Sequence, residues 1–260
     1  MRDAPGTSRG VFVTGTGTGV GKSVVAASIV AALTAKGHKV GAFKPVVTGL
    51  DQPSSEWPLD HELLAAATGW QTPEQVTPYT FGPAVSPHLA ARVAGTRIAP
   101  ATIDDAFERV AATSDVIVCE GVGGLLVPLS LEPPLSVLDL IKRSELPVVV
   151  VTHPGLGTIS DTRLTVDRLH CEGVAVLAVV LSPWPRTPTS MQRSNRESVE
   201  KLCDAEVFTL PETTPDSLAA AGADLPVEDW AGLLPAAFPP PGPAAVPAVT
   251  PAAAPASGAR

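Results

Sequence analysis

Positive charge is scarce in this sequence. Lysine and arginine together number 18, against 26 aspartate and glutamate residues, which gives a formal net charge of -8 at pH 7 and a pI near 5.1. The sequence contains no run of Lys or Arg. An acidic surface without a basic patch repels the phosphates of nucleic acids and of anionic membranes. We therefore expect neither a nucleic acid nor a membrane as a partner.

Long apolar runs and paired cysteines are also missing. No apolar stretch approaches the roughly 18 residues of a membrane span, and Met1–Arg9 is polar, so we expect a cytoplasmic protein. The three cysteines, Cys119, Cys171 and Cys203, are far apart and lack C-x-x-C spacing. This spacing indicates neither a disulfide framework nor a zinc site, and we expect ordinary buried thiols.

Short valine-rich runs alternate with longer helical patterns, which predicts an α/β fold with a three-layer, doubly wound, mostly parallel sheet. With 260 residues, 45% of them hydrophobic, the chain can bury one sizeable core, so we expect a single domain over residues 10–233. The predicted strands are Val11–Thr14, Val40–Lys44, Val116–Glu120, Val148–Thr152, Val176–Leu181 and, more weakly, Val207–Leu210. The predicted helices are Lys22–Lys36, Thr102–Thr113, Ser136–Ser144, Ser160–Glu172 and Gln192–Cys203. Ligands of such sheets bind beyond the carboxyl ends of the strands.

Two flanking segments fall outside this alternation. We expect residues 1–9 to form a flexible N-terminus. From about Leu234 the sequence is almost purely proline, alanine and glycine, with no charge before Arg260. Such a composition offers little apolar surface to offset the entropy of ordering. We therefore expect residues 234–260 to form a disordered Pro/Ala-rich tail.

The segment Gly15–Ser23 follows the first predicted strand and leads into an alanine-rich helix. Its glycines let consecutive N–H groups surround phosphate oxygens, Lys22 adds a cation, and the Ser23 hydroxyl can ligate magnesium. A glycine-rich turn without a ligand is the alternative. The Gly-Lys-Ser ending between a strand and a helix favours a phosphate-binding loop of the P-loop NTPase type, here one residue longer than the usual spacing.

Five motifs closely resemble those of the dethiobiotin synthetases and occur in the same order. They are Gly15–Ser23, Phe43–Gly49, Pro78–Phe81 with Ser86–His88, Glu120–Gly124 and Leu156–Thr158, and they cover most of Val11–Glu212. The resemblance implies a homodimeric, magnesium- and ATP-dependent cyclo-ligase of biotin biosynthesis. The implied substrates are 7,8-diaminononanoate, CO2 and ATP, and the products are dethiobiotin, ADP and phosphate. A carbamate would be phosphorylated to a carbamic-phosphoric anhydride, which the second amine attacks.

Three residues match catalytic positions of that family. Lys44 matches a lysine that contacts the carbamate and the γ-phosphate, although a lysine at a strand end can also lie on the surface. Lys22 faces the phosphates. Thr18 matches a threonine that faces the γ-phosphate, with a role in the turn as the alternative. Thr48 matches a residue that contacts the substrate amine or carbamate, with a loop cap as its alternative.

The resemblance places Ser23, Asp60 and Glu120 at magnesium positions, and magnesium prefers such hard oxygen ligands. Glu120 has an independent argument, because a carboxylate at the end of the apolar run Val116–Cys119 is costly to bury without a cation or a donor nearby. Asp60 precedes a helical pattern, so it could instead cap a helix N-terminus.

The remaining implied contacts divide between nucleotide and substrate. The nucleotide positions are Gly19, Val20, Gly21, Lys22, Ser23, Val24, Asp60, Glu120, Gly121, Val122, Gly123, Ser182, Pro211 and Glu212. At Ser182, Pro211 and Glu212 a base-reading role and a turn role are both open, and Trp184 could stack on a base or pack on the sheet. Gly157, Thr158, Ile159 and Ser160 match a helix start that binds the substrate carboxylate in the partner subunit's active site, with a tight turn as the alternative.

Two rival functions share this nucleotide-binding core. A cobyrinic acid synthetase-type amidotransferase would need a further glutaminase domain with a catalytic cysteine, for which this chain has no room. A partitioning ATPase acting through protein partners would carry a second lysine five positions before Lys22, where this chain has Gly17.

Overall fold

The computed structural model of the chain describes residues 9–52 and 57–233. Its centre is a six-stranded parallel sheet in the order β10-β9-β8-β1-β5-β2. The six strands are β1 (Gly10–Gly15), β2 (Val40–Phe43), β5 (Val116–Glu120), β8 (Val148–Thr152), β9 (Val176–Trp184) and β10 (Glu206–Pro211). In the register of the sheet Val13 pairs with Glu120, and Gly15 pairs with Val151. The carboxyl ends of β1, β5 and β8 therefore lie side by side, and the loops that follow them share one edge.

Helices cover both faces of this sheet and bury it between two hydrophobic clusters. One face carries α1 (Lys22–Ala35), α2 (Asp60–Thr68), α3 (Pro73–Val76), α9 (Leu218–Gly222) and α10 (Val227–Trp230). The other face carries α4 (Pro87–Val93), α5 (Pro100–Ala111), α6 (Val137–Ser144), α7 (Thr158–Cys171) and α8 (Ser190–Leu202). The strands are apolar on both sides because both sides are covered. The three-layer, doubly wound single domain predicted from the sequence is confirmed.

Several short elements lack a signal in the sequence. They are two small ladders, β3 (Val47–Thr48) with β4 (Thr80–Phe81) and β6 (Pro128–Leu131) with β7 (Pro134–Ser136), and the short helices α3, α4, α9 and α10. The helical pattern after Asp60 corresponds to α2. The predicted strand Val176–Leu181 was too short, because β9 continues through Trp184. The predicted helix Ser160–Glu172 began too late, since α7 starts at Thr158 behind a left-handed Gly157 with φ 96°.

No helix within residues 9–52 and 57–233 is long and apolar enough to cross a membrane. All three cysteines are free, as expected, but Cys171 is exposed, so the prediction of three buried thiols was wrong there. The helical period places Cys171 on the side of α7 away from the buried Val166 and Leu169. The predicted flexible N-terminus, apart from Arg9, and the predicted tail at residues 234–260 lie outside the described residues.

Candidate functional site

The phosphate-binding loop joins β1 to α1 at the shared edge of the sheet. Gly21 caps α1 with φ 93°, a left-handed conformation that favours glycine, and a Cβ atom there would lie 2.9 Å from the Ser182 hydroxyl. Lys22 is 6% exposed, and its Nζ donates to the Gly17 carbonyl at 2.7 Å. The lysine thus folds back over the loop and holds its ammonium group inside the ring of backbone groups.

Lys44 follows the last residue of β2, and backbone hydrogen bonds hold this segment in place. Its N–H donates to the Val76 carbonyl at 2.9 Å, and three residues later the Val47 N–H donates to the Tyr79 carbonyl at the same distance. The motif Pro78–Phe81 therefore has a structural role: β4 pairs with β3 and holds Thr48 near Lys44. Lys44 is 3% exposed, which rules out the alternative of a surface lysine.

Four side chains form what we call the charged cluster: Lys22, Lys44, Asp60 and Glu120. The Lys44 Nζ donates to Glu120 Oε1 at 2.5 Å and to Asp60 Oδ2 at 2.8 Å. The Ser23 hydroxyl donates to the same Glu120 oxygen at 2.8 Å. Asp60 is the first residue of α2, whose cap is Leu59, so Asp60 is not the N-cap. One lysine from a strand end is thus held between carboxylates from a helix and another strand.

Burial and mutual charge set the protonation of this cluster. Complete burial raises the pKa of Glu120, against the opposing effect of Lys44. Burial lowers the pKa of Lys22 to about 8, although the negative charge of Glu120 opposes that shift. Burial also works against the charged form of Lys44, but Asp60 and Glu120 outweigh it and raise the pKa of Lys44. For Asp60 the effect of burial is likewise outweighed, and Lys44 lowers its pKa. Lys44 is therefore a fixed cation.

Glu120 also meets the requirement of a magnesium ligand. Its Oε2 atom is buried and has no hydrogen-bond partner in the described part of the chain. A buried carboxylate oxygen without a donor is costly, and a divalent cation would satisfy it. Ser23 and Asp60 supply further oxygens in the same cluster. No group of three or more His, Cys, Asp or Glu side chains within residues 9–52 and 57–233 could hold a metal alone. A magnesium ion here would need oxygens of phosphate or water to complete its shell.

A cavity of about 610 Å³ opens in front of the charged cluster. Of the predicted residues it is lined by Thr18, Gly19, Gly21, Lys22, Ser23, Val24, Lys44, Thr48, Asp60, Glu120, Val122 and Gly123. Val20 and Gly121 lie behind this wall, since Val20 packs in the core and a Cβ on Gly121 would meet Val137 and Phe12. The sequence did not indicate the lining residues Trp57, Pro58, Leu63 and Val85. Apolar lining residues far apart in the sequence carry no local motif.

The predicted base-reading residues do not line this cavity. Ser182 lies within β9 rather than after it, is 2% exposed, and places its hydroxyl against Gly21. Pro211 and Glu212 are exposed at the end of β10, and the Glu212 N–H donates to the Trp184 carbonyl at 3.2 Å. These contacts give Ser182 a packing role behind the phosphate loop.

The predicted carboxylate site lies apart from the charged cluster. Gly157, Ile159 and Ser160 line a second, open groove together with Leu156, Arg163, Leu164, Asp167 and Asn195. Thr158 is fully buried beneath it. Leu156 is 88% exposed and Leu164 is 68% exposed, and Leu126 is 60% exposed in a neighbouring groove that also contains Leu164. Exposed leucines on adjacent grooves are typical of a surface that another chain covers.

Comparison with known proteins identifies the relatives of this chain. Residues 9–215 match the AAA domain family. The ATP-dependent dethiobiotin synthetase BioD of Anaeromyxobacter dehalogenans (strain 2CP-1 / ATCC BAA-258) is 38% identical over 209 residues, which cover 80% of this chain and 92% of that protein. BioD of Bacillus velezensis is 33% identical over 202 residues, covering 77% and 84%. Among solved structures, a ParA family ATPase from Chlorobium tepidum TLS aligns with a TM-score of 0.52 at 14% identity, covering 88% of this chain and all of the other, which supports the fold alone.

Proposed function

The chain belongs to the dethiobiotin synthetase family of P-loop NTPases, and from this premise we propose that it closes the cyclic urea of dethiobiotin from 7,8-diaminononanoate and CO2. It is an ATP-dependent ligase of biotin biosynthesis. The observation that carries the proposed reaction is the charged cluster, in which Lys22 and Lys44 meet at the mouth of the phosphate loop. Two cations there can hold two anions together.

The reaction requires that arrangement. A carbamate forms when one substrate amine attacks CO2, and it is a stable anion with a poor leaving group. Transfer of the γ-phosphoryl group to a carbamate oxygen gives a carbamic-phosphoric anhydride and ADP. The neighbouring amine then attacks the carbonyl carbon, and phosphate leaves as the second C–N bond forms. Because carbamate and triphosphate repel each other, the enzyme must hold both in line with cations and N–H dipoles.

In this proposal the two lysines bind different anions. Lys22 binds the β- and γ-phosphates, exchanging the Gly17 carbonyl for phosphate oxygens. Lys44 holds a carbamate oxygen beside the γ-phosphate, since it is the cation that remains charged while fully buried. Thr18 and Thr48 line the same cavity, and in this proposal they would contact the γ-phosphate and the substrate, respectively.

Ser23, Asp60 and Glu120 would hold magnesium in the proposed enzyme. When bound, the ion neutralises charge on the phosphate oxygens. Glu120 would offer Oε2, the oxygen without a partner, while Oε1 stays with Ser23 and Lys44. The remaining loop residues Gly19–Gly21, Val24 and Gly121–Gly123 would surround the nucleotide. Ser182, Pro211 and Glu212 remain predicted neighbours of the base.

We further propose a homodimer with composite active sites. Support comes from the position of Gly157, Ile159 and Ser160, which line a separate groove from the charged cluster of their own chain. The exposed Leu156 and Leu164 line that groove, Leu126 is exposed in the neighbouring one, and a second copy would bury them. The start of α7 would then bind the substrate carboxylate of the partner's site through backbone N–H groups. A cytoplasmic location belongs to the same proposal, because three free cysteines suit a reducing compartment.

A coupled assay tests the reaction directly. We expect ADP release that depends on 7,8-diaminononanoate, bicarbonate and Mg²⁺, together with a product whose mass is that of dethiobiotin. Substrate-independent ATP turnover would instead favour a partitioning ATPase, and turnover with glutamine and a corrin acid would favour a cobyrinic acid synthetase-type enzyme. Either result would overturn the proposal.

A further inference from the structure

Four threonine hydroxyls, three of them buried, meet at the carboxyl end of β8, and we call them the hydroxyl cluster: Thr16, Thr152, Thr158 and Thr162. The Thr152 Oγ1 lies 3.2 Å from that of Thr16 and 2.8 Å from that of Thr158. It also accepts a hydrogen bond from the Thr162 hydroxyl at 3.1 Å. Thr152, Thr158 and Thr162 are 0% exposed. Thr152 is the only member that contacts all three others.

A hydroxyl has one proton and two acceptor sites, so three neighbours use the whole capacity of Thr152. Without this hydroxyl, the Thr158 and Thr162 hydroxyls would have only each other as partners among the described residues, at 3.4 Å. Both are fully buried, and a buried hydroxyl without a partner is costly. The position of the first turn of α7 therefore depends on Thr152.

Thr152 connects two parts of the chain that the proposed reaction uses. On one side, Thr16 follows β1 at the entrance to the phosphate loop, and its N–H donates to the Val151 carbonyl at 3.0 Å. On the other side, Thr158 and Thr162 lie one turn apart on α7. Thr152 thus holds the start of α7 in a fixed position relative to the phosphate loop of the same chain.

A second contact holds the loop that leads into α7. Asn195 of α8 is 8% exposed, and its Nδ2 donates to the carbonyls of Pro154 and Gly155 at 3.0 Å and 2.9 Å. The loop is therefore held from α8, and the helix start is held from β8. Neither contact covers Gly157 or Ser160, so both residues still line the open groove.

A binding site made of backbone N–H groups has no side chain of its own to adjust its position. Its position must come from the groups packed behind it. We propose that Thr152 is a positioning residue that holds the N–H groups at the start of α7 in place for the substrate carboxylate. This inference rests on the proposed function.

The test compares Thr152→Val, which keeps the shape and removes the hydroxyl, with Thr152→Ser, which keeps the hydroxyl. For Thr152→Val we expect the KM for 7,8-diaminononanoate to rise roughly tenfold, the scale of one lost buried hydrogen bond, with kcat and the nucleotide KM changed less than about twofold. Thr152→Ser should restore most of the loss. Thr165→Val is the matched control, since this buried α7 threonine donates only to the Asp161 carbonyl of its own helix.

A substrate without the carboxylate distinguishes a displaced carboxylate site from a general loss of structure. With 2,3-diaminononane, which has a methyl group in place of the carboxylate, Thr152→Val and the wild type should have the same KM, because the contact being positioned is absent. A KM that rises equally for both substrates, or stays unchanged for diaminononanoate, would overturn the inference. If Thr152→Val does not fold, Thr162→Val provides the same comparison with a smaller expected rise. Failure of the proposed function would look different, as an absence of turnover in the wild type.

Discussion

The two ends of the proposed active site bind anions by different means. At the charged cluster, Lys44 lies 2.5 Å from Glu120 and 2.8 Å from Asp60, and side-chain charge determines what can bind. At the start of α7, the groups offered are backbone N–H dipoles supported by uncharged hydroxyls. In the proposed reaction, one end would contact the reacting groups, where charge develops, and the other would bind a carboxylate that does not react.

This difference predicts how each end responds to substitution. In the charged cluster each charge sets the protonation of its neighbours, so the loss of one side chain alters all of them. At the helix start the binding groups belong to the backbone, so a change of side chain should matter little. A change of backbone geometry should matter much more.

Lys44→Ala should have the largest effect. We expect turnover to fall roughly 10²-fold or more, the scale of losing one preorganised electrostatic contact to a transition state. Loss of the ammonium also leaves Glu120 buried without its cation, so the melting temperature should fall. Mg²⁺ should then raise the melting temperature of Lys44→Ala more than that of the wild type, because the ion can replace the missing charge.

The control for this prediction is Lys142→Ala, which removes an exposed lysine that pairs with Glu172 and should change neither turnover nor magnesium response. The double variant Lys44→Ala/Glu120→Gln removes both charges of the buried pair. It should regain stability without regaining turnover. Near-wild-type turnover of Lys44→Ala would contradict the role given to this lysine.

Lys22→Ala should weaken nucleotide binding and lower turnover together, because this cation faces the phosphates in both the ground state and the transition state. We expect the nucleotide Kd to rise roughly tenfold or more, the scale of a lost charged hydrogen bond. Calorimetry measures it directly. Lys36→Ala, just beyond the other end of α1, is the control, since Lys36 pairs only with Glu228 among the described residues. An unchanged Kd would place Lys22 outside the nucleotide site.

At the helix start, Gly157→Pro should raise the substrate KM about tenfold and the nucleotide KM much less. Gly157 has φ 96°, whereas proline is fixed near -65° and lacks an N–H, so the substitution must shift the start of α7. Gly173→Pro is a matched control, because Gly173 also has positive φ but lies beyond the far end of the same helix. Equal effects of the two variants on the substrate KM would argue against a local carboxylate site.

Mixing subunits shows whether the two ends come from different chains. A heterodimer of Lys44→Ala and Gly157→Pro chains should contain one site with both defects and one intact site. We therefore expect partial recovery of activity after the variants are mixed, with mixed dimers verified by mass spectrometry. No recovery in verified mixed dimers would refute the composite site.

The sequence was sufficient to predict the sheet and its main helices because buried parallel strands are near-continuous apolar runs. Short elements such as β3 and α3 carried no such signal, since two to four residues cannot establish a period. The sequence also placed the end of β9 too early. Ser182 and Pro183 look like a turn in isolation, yet pairing with β10 continues as far as Trp184.

The sequence was sufficient to predict that Lys22 and Lys44 lie at one candidate site, because a motif surrounds each of these charged residues. It could not predict which charged side chains form ion pairs, because the ion pair between Lys44 and Asp60 depends on how α2 packs beside β2. The hydroxyl cluster was missed for a related reason. A threonine at a strand end is common, and only the three-dimensional fold brings Thr16, Thr152 and Thr162 together.

Ser160→Ala should have the smallest effect and is the sharpest test of the contrast between the two ends. Ser160 is exposed on the first turn of α7, and alanine would keep its N–H group and favour the helix. If the carboxylate is bound by backbone dipoles, the substrate KM should change by less than about threefold, with kcat unaltered. Measured beside Gly157→Pro, the variant separates the backbone from the side chain at neighbouring positions. A tenfold rise in KM for Ser160→Ala would mean that the hydroxyl is the main ligand, and that both ends of the site depend on side chains.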